Sequence, residues 1–184
     1  MESLTPRRLG CTEEKVFGNG LSQASGSVVM RVSPVSRVAG VLVLMFCSLT
    51  ALWSQGGASA AERHLFEAAN RERRAQELPA LKWSPALASA ARAHAKEMAR
   101  HNEVSHRLPG EPALPARVTR AGAHFQWLSE NVVQARTAAE AHSEFVKSPT
   151  HRANLLDRDM NVVGIGVAIK GNQLFVVEDF AQAK

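Results

Sequence analysis

Three polar side chains on separate segments of the sequence have the chemistry to form one site. His106 lies in VSHR, Glu130 in WLSENVV and His151 in SPTHR. Two neutral imidazoles can ligate zinc or copper, and a carboxylate can act as a third ligand or orient one of the rings. A metal-bound water beside a carboxylate base would also support hydrolysis. Residue types alone favour the alternative, in which each side chain is only structural.

The sequence lacks the motifs of several common catalytic classes. It contains no G-x-S-x-G, no H-E-x-x-H and no G-x-x-x-x-G-K. Gly164-x-Gly166 is followed by Ile169 where a dinucleotide-binding fingerprint needs a third glycine. Both cysteines, Cys11 and Cys47, precede the segment that we expect to be exported. Thiol catalysis and cysteine-zinc sites are therefore excluded for that segment.

An apolar run near the N-terminus predicts export. Residues 38–53 form sixteen consecutive positions without a charge, with Arg31 and Arg37 before them and the A-x-A sequence 58–60 after them. A positive region, an apolar core and a small-residue site together are typical of a secretory signal peptide. We expect a signal peptide at 30–60, cleaved at its end. An uncleaved membrane anchor is the alternative, although a spanning helix needs roughly 20 apolar residues.

Composition divides the remainder of the 184-residue chain into two parts. Residues 1–29 are rich in Gly and Ser and are expected to be disordered or a gene-model extension, with translation starting at Met30. Residues 61–184 form one domain with 17 basic and 14 acidic residues, a net charge of +3. Because both signs are interspersed, we expect no nucleic-acid partner. We expect a secreted protein, extracellular or periplasmic, without a membrane span after cleavage; its oligomeric state stays open.

Hydrophobic periodicity and turn residues predict an α+β domain in which helices cover an antiparallel sheet. Gly164 and Gly166 lie on one strand face, which indicates close approach of another backbone. His94 lies on the apolar stripe of a helix and is expected to be a hydrogen-bonded core residue, and Asn70 and Arg73 are expected to bond backbone groups. The predicted elements are helices at 62–77, 85–100 and 137–147, a long irregular loop at 102–120, a strand at 125–135 and a hairpin at 161–184.

Several short stretches, taken in order, resemble one known family. They are Asn70-x-x-Arg73, LPALKWSPALASAARAHAKEMA, Ser105-His106, RAGA at 120–123, Ser129-Glu130-Asn131, SPTHRAN at 148–154 and VGIGV at 163–167. Their order and spacing resemble the CAP superfamily (cysteine-rich secretory proteins, antigen 5 and pathogenesis-related 1) in its short bacterial SCP-like form. The resemblance covers roughly Ala61–Ala183.

The resemblance implies a three-layer α-β-α sandwich with a central antiparallel sheet, and a cleft lined by two histidines and acidic residues. Divalent metal, commonly zinc, binds between those histidines in the family. Carried over by motif, the cleft histidines and metal ligands are His106 and His151, and the glutamate of the Glu-Asn pair is Glu130. A further cleft glutamate is expected on the helix before the second histidine. Ser148 stands near that position, so Glu144 is the candidate substitute.

Three functions are compatible with these residues. The first is a secreted binding module for a lipid or sterol, a peptide or a cell-wall component, with a histidine-bound zinc; family members that the sequence resembles are described as lipid or sterol binders. The second is a metal-assisted hydrolase with Glu130 as general base. The third is a structural or interaction domain without a ligand. We rank the binding module first. The uncertain position of the second acid weakens the case for a proton-transfer mechanism more than it weakens the case for metal binding.

Overall fold

The computed structural model describes residues 58–183. The N-terminal segment and most of the predicted signal peptide lie outside this range. The described elements are α1 Ala60–Ala75, β1 Lys82–Trp83, α2 Pro85–His101, α3 Leu114–Arg120, β2 Phe125–Ala135, α4 Ala138–Lys147, α5 Pro149–Leu155, β3 Val162–Lys170 and β4 Gln173–Ala183.

The strands form one sheet in the order β1-β3-β4-β2. The three long strands pair antiparallel, with Glu130 of β2 opposite Asp179 of β4 and Gly164 of β3 opposite the same Asp179. The short β1 pairs parallel with β3. The α+β prediction is confirmed, and the predicted antiparallel pairing holds for the long strands. This order leaves β2 at one edge of the sheet, which becomes important for the site.

Helices cover both faces of the sheet. On one face α2 packs directly against β3: a Cβ on Gly164 would lie 2.1 Å from the backbone nitrogen of Ala88, and one on Gly166 would lie 2.2 Å from the carbonyl carbon of Ala91. The glycines therefore permit the helix to touch the strand backbone, as predicted. On the opposite face α1, α4 and α5 enclose an apolar core, whose largest fully buried members include Leu65, Phe145, Ile165 and Phe180.

Side-chain caps define where the longer helices begin. Ser59 and Glu62 form a capping box at α1, Ser84 caps α2 through the backbone N–H of Leu87, and Thr137 caps α4. Such caps satisfy N–H groups that have no partner within the helix. Because α1 begins at Ala60, the predicted cleavage point lies inside its first turn.

The predicted irregular loop at 102–120 is wrong in its second half, which forms α3. Pro115 favours a loop when the sequence is considered alone, but it lies in the first turn of α3, where a helix needs no N–H bond from that residue. Pro149 likewise opens α5 directly after α4 ends. Residues 102–113 remain irregular and carry His106.

Within residues 58–183, no helix combines the length and the apolar character required to cross a membrane.

Candidate functional site

The candidate site lies at the outer edge of β2, where the two helical layers meet. Glu130 and Asn131 are consecutive on this strand, so their side chains point to opposite faces of the sheet. His106 approaches from the loop between α2 and α3, on the face of Glu130. His151 lies on α5, on the face of Asn131. The strand edge thus brings the two histidine-bearing segments to one place.

Glu130 holds His106 through a short hydrogen bond. Nδ1 of His106 lies 2.9 Å from Oε1 of Glu130, while Oε2 of Glu130 forms an ion pair with the guanidinium of Arg117. The Glu130 side chain is only 3% exposed, whereas that of His106 is 39% exposed. Because Nδ1 donates to the carboxylate, Nε2 of His106 is left as the lone-pair nitrogen. A carboxylate behind a histidine in this way orients the ring for a ligand at the other nitrogen.

Glu130 shares its environment with a second carboxyl group, that of Asp179. Burial alone would raise the pKa of Glu130, but the hydrogen bond from His106 and the charge of Arg117 outweigh it, so the net pKa is lowered. Burial and the adjacent negative charge of Glu130 raise the pKa of Asp179 well above its ordinary value. Of these two carboxyl groups, Glu130 is therefore the one that ionises more readily, and Asp179 is the one that keeps its proton more readily.

His94 lies behind this pair and is fully buried. Its Nδ1 is 2.7 Å from Oε1 of Glu111, and its Nε2 is 2.8 Å from the carbonyl oxygen of Ser105. Nη1 of Arg117 donates to the carbonyl of His106 at 2.9 Å. The geometry therefore agrees with the expected core role of His94, and these bonds fix the loop that carries His106.

On the other face, Asn131 fixes the helix that carries His151. Its side-chain amide donates to the carbonyl oxygen of His151 at 3.1 Å, and its Oδ1 accepts from Asn154 at 3.0 Å. The His151 ring also packs edge-on against Phe145, with centroids 5.4 Å apart. Backbone and ring of His151 are thus both held in place.

The His151 imidazole is neutral at neutral pH and has an unused nitrogen. Burial lowers its pKa, and electrostatic repulsion from the nearby His106 lowers it further. Its Nδ1 is buried without a hydrogen-bond partner. His151 makes no hydrogen bond to Glu130, so the structure connects the three predicted residues through β2 rather than through one shared carboxylate.

Glu144, the candidate second acid, is placed apart from this cluster. It lies on the exposed side of α4, and its carboxylate is 3.3 Å from the amine of Lys147. Within residues 58–183, no hydrogen bond or ion pair joins it to His106, Glu130 or His151.

Three other acids lie near the site and are not among the residues that the sequence predicts for it. Glu111 and Asp179 lie with Glu130, while Glu178 lies beside Asn131, whose amide is 3.4 Å from its Oε2. Burial raises the pKa of Glu178 to about 8. The signal in the sequence is VVEDFA, in which two acids are flanked on both sides by apolar residues. In the fold, helices cover both faces of this strand, so both acids are buried. Charged residues are rarely buried in this way without a role or a partner.

The donor set fits a metal site with two protein ligands. His106 has a free, oriented Nε2, and His151 is neutral with an unpaired nitrogen, which is the form that binds zinc. Among residues 58–183, no group of three or more His, Cys, Asp or Glu side chains is arranged to hold a metal ion. A cation here would therefore take its remaining ligands from water or from a bound molecule.

Comparison with protein families matches residues 66–180 to the model of CAP, the cysteine-rich secretory protein family. The match covers more than half of the chain. A comparison with curated protein sequences found no significant match.

Solved structures of bacterial proteins share the fold. An extracellular SCP-domain protein from Bacillus anthracis superimposes with a TM-score of 0.62 at 27% identity, covering 69% of this chain and 45% of that protein. An outer surface protein from Borrelia burgdorferi gives 0.64 at 17% identity, with 70% and 97% covered. A cysteine-rich secretory protein from Staphylococcus aureus gives 0.52 at 20% identity, with 66% and 38% covered. This chain thus spans less than half of the Bacillus and Staphylococcus proteins. With its three layers, its edge-strand Glu-Asn pair and its family match, the chain belongs to the CAP family.

Proposed function

We propose that the protein is an exported binding module whose site at the edge of β2 takes a divalent cation, zinc fitting best, between His106 and His151. The observation that carries this proposal is the hydrogen bond from Nδ1 of His106 to the buried carboxylate of Glu130. It leaves Nε2 as the ligating nitrogen on a half-exposed ring. The neutral imidazole of His151 supplies the second nitrogen donor.

A two-histidine cation suits ligand binding. Zinc prefers four ligands, so two coordination positions stay available for water or for donor atoms of a lipid, peptide or cell-wall component. When bound, the cation would act as a Lewis acid towards those donors. A structure of NaASP2 with Zn²⁺, at 14% identity and a TM-score of 0.50, has the same fold and supports zinc as the metal to test.

The hydrolase alternative is less well supported by the geometry of Glu130. A general base must reach the water that it deprotonates, within hydrogen-bond distance. Both oxygens of Glu130 are already engaged, one by His106 and one by Arg117, and the side chain is almost fully buried. Its role in this arrangement is to position His106. Loss of peptidase or esterase turnover in a folded Glu130→Ala variant would favour the hydrolase instead.

Export of the protein is the second part of the proposal. It is supported by the charge-free run at 38–53 with its flanking arginines and small-residue site. The Bacillus anthracis relative is described as an extracellular protein.

Calorimetric titration with ZnCl₂ tests the proposed site. We expect one zinc per chain, and a loss of affinity of at least about tenfold in both His106→Ala and His151→Ala, since each variant removes one of two protein ligands. His124→Ala is the matched control, because His124 is an exposed histidine outside the cluster. Absence of binding heat, or equal loss in the control, would contradict the proposal and leave a structural domain.

A further inference from the structure

A second surface, separate from the two cleft histidines, has the properties of a binding groove. It has a volume of about 900 Å³ and lies between α2, the irregular segment 108–112 and α3. This size is within the usual range for ligand sites. Neither His106 nor His151 lines it.

Positive charge is distributed along the walls of this groove. Its lining includes five cationic side chains and only two carboxylates, those of Glu97 and Glu111. The cationic residues are Arg92, Lys96, Arg100, Arg117 and Arg120. A ligand with several negative charges is therefore favoured over one with none or one.

Two of these cations are available to a ligand. Arg92, Arg100 and Arg117 already form ion pairs with acidic side chains. Lys96 on α2 and Arg120 on α3 are exposed and have no ion-pair partner among residues 58–183. They belong to different walls of the groove, α2 and α3.

An independent observation concerns Arg117, which also lines the groove. Its side chain is buried, and its Nε–H group has no hydrogen-bond partner among the described residues. The same guanidinium bonds Glu130 and the carbonyl oxygen of His106, so this part of the groove wall is held in a fixed position.

The dimensions favour an extended chain. The groove follows α2 from Ser89 to His101, which at the helical rise corresponds to about 18 Å. An extended peptide covers this length with five or six residues.

We infer that this groove binds an extended acidic peptide segment, with Lys96 and Arg120 contacting its carboxylates. The uncharged lining, which includes Ala90, Leu108 and Pro112, receives the apolar side chains between them. A single-headed anionic amphiphile fits less well, because it offers one acidic group to two cations on different walls of the groove, α2 and α3.

Fluorescence anisotropy with the purified protein tests this inference. The probe is a labelled hexapeptide of alternating glutamate and leucine, and its counterpart has glutamine in place of glutamate. We expect saturable, salt-sensitive binding of the glutamate peptide only. The double variant Lys96→Ala, Arg120→Ala should weaken it about tenfold, as expected for two exposed charge contacts.

The matched control is Lys82→Ala, Arg158→Ala, which removes the same charge from exposed residues outside the groove. If the control variant weakened peptide binding equally, the effect would depend only on net charge, and this result would overturn the inference. So would the absence of saturable peptide binding, or binding of dodecanoate but not of the peptide. Zinc plays no part in this measurement, so its outcome is independent of the proposed cation site.

Discussion

Glu178 and Asp179 place two carboxyl groups in the interior of the sheet, one on each face. Both are fully buried, and the pKa of each is raised chiefly by burial. Asp179 lies against the ionised Glu130 that holds His106. Glu178 lies against Asn131, which holds the helix of His151. Each half of the candidate site thus rests on a buried carboxyl group whose pKa is raised.

Glu178 makes stability depend on pH. In the unfolded chain the Glu178 carboxyl has its ordinary pKa of 4.5 and is ionised above that pH. In the folded protein its pKa is about 8, so it keeps its proton up to about that pH. The folded state therefore binds the extra proton, and stability falls as pH rises through this window, by up to about 1.4 kcal/mol per pH unit. We expect Glu178→Gln to raise the free energy of unfolding by more than about 1 kcal/mol near pH 8, measured by urea denaturation.

Below about pH 4.5 the same substitution should not raise the free energy of unfolding, because the Glu178 carboxyl is protonated in both the folded and the unfolded state. Glu103→Gln, at an exposed glutamate, should change nothing at either pH. A Glu178→Gln variant whose change in the free energy of unfolding is the same at both pH values would contradict the raised pKa of Glu178.

At the residue scale, the sequence allows a prediction for polar residues that lie within recognisable motifs, such as His106, Glu130 and His151. The hydrogen bond between His106 and Glu130 agrees with their predicted proximity. Glu178 and Asp179 escaped because their contacts come from strand pairing across long sequence separations. The family resemblance makes Glu144 the candidate for the further cleft glutamate, yet its position on α4 turns it towards solvent.

Arg73 connects α1 to the segment between α5 and β3. Its buried guanidinium donates to four carbonyl oxygens at 2.8–3.1 Å, which belong to Pro79, Leu155, Asp157 and Met160. The expectation that Arg73 bonds backbone groups agrees with this geometry. One side chain thereby fixes the end of the helix that carries His151.

We expect Arg73→Lys to lower the free energy of unfolding by about 3 kcal/mol, because an ammonium cannot reproduce the planar fork and leaves buried carbonyls without donors. Arg74→Lys, at the exposed neighbouring position in α1, should change it by less than about 0.5 kcal/mol. Urea unfolding of both variants makes the comparison. Similar small effects in both would contradict the assigned role of Arg73.

The direct contact between α2 and β3 leads to a second prediction at the scale of helices and strands. A methyl group on residue 166 would overlap the backbone of Ala91. Only a separation of α2 from β3 would relieve this overlap. We expect Gly166→Ala to cost more than about 3 kcal/mol of unfolding free energy. Gly171→Asn is the control, because its backbone φ of +60° suits asparagine and no atom lies near. A stable Gly166→Ala protein would contradict the direct helix-strand contact.

At the element scale, long periodic segments were predictable and short ones were not. The helices at 85–100 and 137–147 match α2 and α4 within a residue or two. α3 and α5 were missed because each is seven residues long and has a proline in its first turn. β1 has two residues, too few for any alternation, and its pairing depends on β3 far along the chain.

On the scale of the whole molecule, the site depends on the order of the sheet. With β2 at the edge, its consecutive residues Glu130 and Asn131 connect to different helical layers, and each layer delivers one histidine. Residues 58–183 contain no cysteine, so apolar packing and buried polar bonds must keep the layers in register. The central claim is that His106 and His151 act as one site across this edge.

Nuclear magnetic resonance of imidazole-labelled protein during zinc addition tests that claim most directly. At about pH 7 we predict that the ring signals of His106 and His151 change together, along one saturation curve that ends at one zinc per chain. The exposed His64 and His124 should stay unchanged. A change confined to one of the two rings, or changes at clearly different zinc concentrations, would contradict a shared site.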